Sequence, residues 1–495
     1  VNAVSRNNKM FGKSILFSVL PETQALYGFL IAIIMLVSGG LIGTATSGMI
    51  TPMGIVAIGA AISVGFGAVS AIGQGTSAAS GVTATSEKPS MFGKSIIFSI
   101  IPETQALMGF LIAILMLIGA GLMGSVDVSI TMAHAVVAIG AGFAVGMAAI
   151  SAVGQGFAVS TSINAVTQDA KMFAKSLLFS VIPQTQALMG FLISILALIG
   201  AGLIGTLEMA MTTANGLVAV GAGFAVGLGA LSAVGQGFVI SSAITSVTQD
   251  KKMFGKGLLF SVLPQTQALY GFLVAILLLV GGGLVGGLAP DLTIPIGLLA
   301  MGAGLSVGLA AASAIGQGLV AGSGVSAVKE DNKMFGKSIL FSVLPETQAL
   351  YGFLVAILLL VGGGLIGNLN LDLTVPLGLV AIGAGISVGV AAISAIGQGV
   401  AASSGVASVQ ENSKMFGKSI LFSVLPETQA LYGTIIAILL MTGVGIMGIV
   451  NSGVTMLQGF GAIGAGFAIG FAAISALGQG IISASSIGAS LKDPK

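Results

Sequence analysis

Phe17-Ser18-Val19-Leu20-Pro21-Glu22-Thr23-Gln24-Ala25-Leu26-Tyr27-Gly28 sets a carboxylate, a hydroxyl and an amide inside an apolar run. Its centre returns as Pro102-Glu103-Thr104-Gln105, Pro183-Gln184-Thr185-Gln186, Pro264-Gln265-Thr266-Gln267, Pro345-Glu346-Thr347-Gln348 and Pro426-Glu427-Thr428-Gln429, each copy 81 residues after the last. Four copies keep the acid; two, at Gln184 and Gln265, carry an amide in its place. Repetition this regular outranks any local pattern, because each unit completes its packing only against its neighbours.

The surrounding solvent is a bilayer. Charged residues are 6% of the 495 and hydrophobic residues 55%, with mean hydropathy +1.10, too little polar surface to face water. Apolar stretches long enough to span hydrocarbon alternate with short polar loops. The 77 glycines leave many helix faces nearly bare, which lets backbones approach closely. A net charge of +2 gives no footing for nucleic acid, and the absence of cysteine excludes disulfides and thiolate metal sites. Trp is absent and Tyr occurs four times, so the interfacial aromatic belt is weak. Val1 is no initiator and no signal-peptide order is visible, which leads us to expect a removed upstream segment.

Each period holds two apolar segments, Met10 to Gly43 and Met53 to Thr85 in the first copy. The second carries Ser70-Ala71-Ile72-Gly73-Gln74-Gly75, whose glutamine recurs at Gln155, Gln236, Gln317, Gln398 and Gln479. The expected fold is therefore all-α and integral to the membrane, with twelve transmembrane helices in six hairpins forming all or part of a ring. The units run 1–85, 86–166, 167–247, 248–328, 329–409 and 410–495. Glycine runs such as Gly140-Ala141-Gly142 suit the second segments to an inner layer, and the bulkier first segments to an outer one. All 17 Lys and Arg, Arg6 and Lys495 included, fall on one side, while the opposite loops hold Asp127, Glu208, Asp291 and Asp372. The Lys-rich loops and both termini are thus expected in the cytoplasm. Glu22 lies roughly 14 Å from Lys13, and Gln74 roughly 16 Å from the following loop. Equal depth makes Gln74 and Glu103 partners across one short loop, as it does Gln317 with Glu346 and Gln398 with Glu427.

An ionised carboxylate at mid-bilayer costs at least ~2.5–3.5 kcal/mol and persists only by pairing, protonating or holding a cation. No Lys, Arg or His lies at that depth, and the lone His134 sits near the opposite loops, where a surface or core role is expected rather than a ligand role. Thr hydroxyl, Gln carbonyl and carboxylate are hard oxygen donors, suited to a small hard cation. Proline also loosens the preceding turn and can free a backbone carbonyl toward the site. These features weigh toward Na⁺ and leave H⁺ open. A lone Thr-Gln pair would be read as interhelical hydrogen bonding; six copies in register with a second glutamine each are read as a site.

The residues Leu-Pro-Glu-Thr-Gln-Ala-Leu-Tyr-Gly in one helix, Gly-Gln-Gly in the other and Met-Phe-Gly-Lys in the loop resemble the rotor-ring proteolipid, or K/c subunit, of V-type and archaeal A-type rotary ATPases. The resemblance spans the chain as six tandem hairpins. It implies a ring made with other copies, a stator subunit with half-channels, central-stalk subunits on the cytoplasmic side, surrounding lipid and no covalent cofactor. It also implies shared sites: Thr23, Gln24, Gln74 and Glu103; Thr266, Gln267, Gln317 and Glu346; Thr347, Gln348, Gln398 and Glu427. Thr428, Gln429 and Gln479 would be completed by Glu22 of an adjacent chain. Gln184 and Gln265 are expected to be silent. Four acids in six hairpins would move one third fewer ions per turn, each against a gradient up to ~1.5 times larger. Family rings usually have their ends opposite the Lys-rich loop, and this chain departs from that phase.

A twelve-helix ion-coupled secondary transporter is the alternative, but such proteins show two large repeats and a central site made by broken helices. A purely structural ring would be more stable without the acids. No nucleotide-binding motif is present, so the chain is expected to be non-catalytic by itself.

Overall fold

The computed structural model describes residues 4–5, 8–43, 49–124, 129–207, 210–287 and 291–492, and these are helical or in short connections. In hydrocarbon every backbone polar group needs an internal partner, so apolar segments of this length become helices. Eleven long apolar helices and one bent pair make up the expected twelve. They are α1 (Phe11–Val19 with Glu22–Ser38), α2 (Thr51–Glu87), α3 (Pro89–Gly119), α4 (Met132–Gln168), α5 (Ala170–Gly200) and α6 (Thr213–Gln249). They continue as α7 (Lys251–Gly281), α8 (Ile294–Glu330), α9 (Asn332–Gly362), α10 (Val375–Glu411), α11 (Ser413–Gly443) and α12 (Met456–Lys492).

Proline shapes the odd helices. It removes one backbone donor, and the helix tightens into a single 3₁₀ turn over Ile101–Glu103, Leu344–Glu346 and Leu425–Glu427. In α1 the same residue, Pro21, marks a 43° bend. The acid is the last residue of that turn in α3, α9 and α11, so the break in the ladder and the carboxylate coincide.

Glycine ends the odd helices. After α3 the Leu122 N–H bonds the Leu117 carbonyl at 2.8 Å and the Gly121 N–H bonds that of Ile118 at 2.9 Å, with Gly121 at φ 72°. This left-handed cap satisfies carbonyls that would otherwise face hydrocarbon, and it favours glycine. Even helices start with a different device. Thr131 and His134 form a capping box on α4, and the buried His134 Nδ1 accepts from the Thr131 N–H at 3.0 Å. His134 is thus a core capping residue, one of the two roles expected for it.

The even helices form one row and the odd helices a second layer against it. Within the even row, backbones touch: a Cβ added to Gly154 of α4 would lie 1.8 Å from the Ala233 carbonyl oxygen of α6. The odd helices meet one another through bulky rings, as in the edge-on pair Phe98–Phe173 at 5.5 Å, with Lys94 over the Phe173 ring. A closely spaced row inside a widely spaced one is curved, with the even helices on the concave side. The row is open at its edge: the position on α12 equivalent to Gly154, Gly478, has nothing within 4 Å of a built Cβ.

Lysine lies in or within two residues of every even-to-odd connection, and Asp291 and Asp372 lie at the opposite end. Arg6, Lys495, Asp127 and Glu208 fall outside the described residues. At the Lys-rich end Lys251 bridges Asp169 of the preceding connection at 3.1 Å.

Candidate functional site

The repeated motifs converge between layers. Each odd helix leans on the even helix of the preceding hairpin, so the acid of α3 faces the glutamine of α2 rather than that of its own hairpin partner α4. Gln74 Nε2 donates to Glu103 Oε2 at 3.1 Å. Gln24 Nε2 of α1 donates to Gln74 Oε1 at 2.7 Å, and Thr23 Oγ1 lies 3.3 Å from Gln24 Oε1 while donating to the Leu20 carbonyl at 2.9 Å. Three helices therefore supply one pocket, and Glu103 is only 8% exposed within it.

The same relay recurs twice. Gln317 Nε2 donates to Glu346 at 3.0 Å, Gln267 donates to Gln317 at 2.8 Å, and Thr266 Oγ1 lies 3.1 Å from Gln267 Oε1. Gln398 Nε2 donates to Glu427 at 3.1 Å, Gln348 donates to Gln398 at 2.9 Å, and Thr347 Oγ1 lies 3.4 Å from Gln348 Oε1. At the α11–α12 edge Thr428, Gln429 and Gln479 are assembled too, with Gln429 donating to Gln479 at 2.8 Å and no carboxylate bonded to Gln479 among the described residues. Glu22 stands exposed on the far edge of the molecule.

The two glutamine positions sit in pockets of different wiring. Gln155 turns its Nε2 to the Ser180 carbonyl at 2.9 Å, three residues before Pro183. Gln236 bonds the Ser261 carbonyl at 3.0 Å and reaches Gln265 Oε1 at 3.3 Å. The carbonyls accepting here lie in the turn that each proline loosens.

Sequence reasoning missed the tyrosine. Tyr27 Oη donates to Glu103 Oε1 at 2.6 Å, Tyr270 to Glu346 at 2.8 Å and Tyr351 to Glu427 at 2.7 Å. The Tyr27 ring is held by stacking on Phe110 at 5.2 Å. A signal existed: the chain has four tyrosines, and all occupy the same register, at 27, 270, 351 and 432.

Each complete pocket thus gives one carboxylate a hydroxyl donor on one oxygen and an amide donor on the other, with Thr, Gln and backbone oxygens alongside. Hydrogen bonds to a charged acceptor are the strong kind, and two of them fix where the carboxylate points. No group of three or more His, Cys, Asp or Glu exists among the described residues. One carboxylate balances one positive charge, which suits a proton or a monovalent cation over a multivalent metal.

The ATP synthase C-subunit family matches residues 1–35, 58–116, 139–197, 220–278, 301–359 and 382–440. Each internal match starts in an even helix and ends in the odd helix that follows, so Gln74 and Glu103 share one matched segment. The chain is similar to the K subunit of the A-type ATP synthase of Methanocaldococcus jannaschii, 47% identical over 226 residues, covering 46% of this chain and 96% of that protein. It is 37% identical over 129 residues to the K subunit of the V-type sodium ATPase of Enterococcus hirae, covering 26% and 79%. It is 29% identical over 133 residues to the 16 kDa proteolipid of the V-type proton ATPase of Homo sapiens, covering 26% and 82%. No solved structure matches the chain.

Proposed function

The chain belongs to the ATP synthase C-subunit family as a V/A-type rotor proteolipid of six tandem hairpins, a non-catalytic multi-pass membrane protein, and on that premise we propose that it carries Na⁺ at its buried glutamates. The observation that carries the ion reading is the threefold recurrence of one pocket: a carboxylate with two donors and a Thr-Gln-Gln chain of oxygen atoms beside it. Turning the amide of Gln74, Gln317 or Gln398 in step with that of Gln24, Gln267 or Gln348, so that the pair stays hydrogen-bonded, would present a carbonyl oxygen to the cargo in place of Nε2.

The energetics of transport follow. An uncompensated carboxylate in hydrocarbon costs at least ~2.5–3.5 kcal/mol, so a pocket enters the lipid-facing part of the cycle only when occupied and neutral. Exchange is confined to where a stator opens aqueous half-channels to the glutamate. Rotation, driven through stalk subunits by partners that hydrolyse ATP, carries the filled pocket from one half-channel to the other. The Lys-rich connections face the cytoplasm in this reading. Glu22 of one copy joins Thr428, Gln429 and Gln479 of its neighbour, closing the ring. Gln184 and Gln265 carry nothing, since an amide neither balances a cation nor takes a transported proton. The E. hirae relative is named as part of a sodium ATPase, in line with Na⁺ here.

The test is labelling by dicyclohexylcarbodiimide, which attacks protonated, membrane-buried carboxyls, read by mass spectrometry on the purified ring. Millimolar Na⁺ at fixed pH is expected to protect Glu22, Glu103, Glu346 and Glu427. Labelling that ignores Na⁺ and falls only as pH rises would replace Na⁺ by H⁺, and no labelling of any of the four would overturn the carrier reading.

A further inference from the structure

Three positions change together along the chain, and they do so by pocket rather than by helix. The pocket of Glu103 is built with Tyr27 and Ser63, that of Glu346 with Tyr270 and Ser306, and that of Glu427 with Tyr351 and Ser387. The pocket of Gln184 has Met108 and Ala144 at those places, and the pocket of Gln265 has Met189 and Ala225. Helix by helix the pattern is scrambled: α3 carries Glu103 with Met108, and α7 carries Gln265 with Tyr270. Order appears only when tyrosine and serine of one hairpin are read with the acid of the next. At the open edge, Tyr432 stands with Ala468, so the pocket that Glu22 of a neighbouring copy would complete keeps the tyrosine and lacks the serine.

The chemistry explains the pairing. Tyrosine offers the acid an O–H donor, and methionine has none to offer. Each serine Oγ donates across to the acid-bearing helix, Ser63 to the Gly109 carbonyl at 2.6 Å, Ser306 to Gly352 at 2.7 Å and Ser387 to Gly433 at 2.5 Å. That bond bolts the acid-bearing odd helix to the even helix in the half of the bilayer away from the lysines. In the pocket of Gln184 the tyrosine hydroxyl and the even-helix serine are both gone; the bond between the two helices runs the other way, from Ser194 Oγ of α5 to the Ala141 carbonyl at 2.7 Å, and Gln155 has turned to the Ser180 carbonyl.

We propose that each carrier pocket enclosed within one chain is a matched set drawn from two consecutive hairpins, Tyr and Ser from one and Glu from the next, and that the two glutamine pockets are closed as whole sets. A carboxylate placed at 184 or 265 alone does not restore a site matching those of Glu103, Glu346 and Glu427. The number of ions per turn is therefore held by three substitutions per pocket rather than one, and Tyr27, Tyr270 and Tyr351 are positioning residues for the acid on the next odd helix. This rests on the carrier reading above.

The experiment uses the full chain in its assembled ring and compares carbodiimide labelling at residue 184 with Glu346 in the same sample, across Na⁺ concentration and pH. With Gln184→Glu alone, half-protection at 184 is expected at a Na⁺ concentration, or a proton concentration if H⁺ is the cargo, displaced about ten-fold or more from that of Glu346, since a hydrogen bond to a charged group is missing. Met108→Tyr, Ala144→Ser and Gln184→Glu together should bring it within about three-fold; Phe191 already stands where Phe110 supports Tyr27. Tyr351→Met should displace Glu427 by a similar factor and leave Glu346, on the same helix as Tyr351, unchanged. The proposal is overturned if Gln184→Glu alone matches Glu346, or if Tyr351→Met moves Glu346 instead of Glu427. Absence of labelling at Glu346 in the parent ring would sink the carrier reading instead.

Discussion

Gly154→Ala and Gly478→Ala are the same change at equivalent positions of α4 and α12, and the structure gives them opposite signs. In a helix interior alanine is favoured over glycine by about 1 kcal/mol. At Gly154 the new Cβ would stand 1.8 Å from the Ala233 carbonyl oxygen, a backbone atom that no rotamer change can move aside. Restoring ordinary contact requires α4 and α6 to separate by about 1.5 Å, and overpacking of that kind costs about 3 kcal/mol. The clash wins, leaving a net loss of about 2 kcal/mol. The separation also pulls on Gln155, the next residue. At Gly478 nothing lies within 4 Å, so the isolated chain keeps the helix-propensity gain. In a ring closed by a second copy, Gly478 meets that copy's first even helix as Gly154 meets α6, and the penalty returns. Thermal unfolding in detergent, run on the dissociated chain and on the intact ring, separates these cases. A Gly154→Ala chain as stable as the parent would refute the backbone contact, and a Gly478→Ala variant equally harmless in both states would refute ring closure through that face.

Gln317→Leu removes the amide donor to Glu346 and the acceptor for Gln267, so the Na⁺ needed to protect Glu346 from carbodiimide should rise at least ten-fold, roughly the 1.5–3 kcal/mol of a bond to a charged group, while Glu103 is unaffected. Asn215→Ala strips the α6 capping box and leaves the Gly282 carbonyl, now bonded by Asn215 Nδ2 at 2.8 Å, without that donor; a loss of about 2 kcal/mol is expected by thermal unfolding. The Asp169 carboxyl is held below the usual carboxylate range, first by the Lys171 backbone N–H and then by Lys251. A depressed folded value means the contribution is present above the unfolded value and is lost as pH falls through the folded one. The difference in thermal midpoint between parent and Asp169→Asn should therefore be visible near neutral pH and shrink as pH falls below the ordinary carboxylate range.

Much of the site was legible because the 81-residue period repeats the experiment six times. Equal depth on either side of one short loop already paired Gln74 with Glu103, and the structure sets a hydrogen bond of 3.1 Å between them. Tyr27 escaped notice for a physical reason. It acts on the acid of the next odd helix, 76 residues away, while its own helix carries a different acid that it does not touch. The even-row glycines were legible as packing residues, but which backbone each one meets was not.

The hydropathy, the repeat and the embedded acids determine by themselves that this chain spans the membrane twelve times and presents carboxylates at one depth, because burying charge in hydrocarbon admits few other readings. Helix-to-helix contact decides the rest. Because each odd helix seats against the preceding even helix, a pocket is written across two hairpins, and Tyr27, Ser63 and Glu103 become one unit only when three helices meet. Sequence order records helices, whereas chemistry happens in the grooves between them.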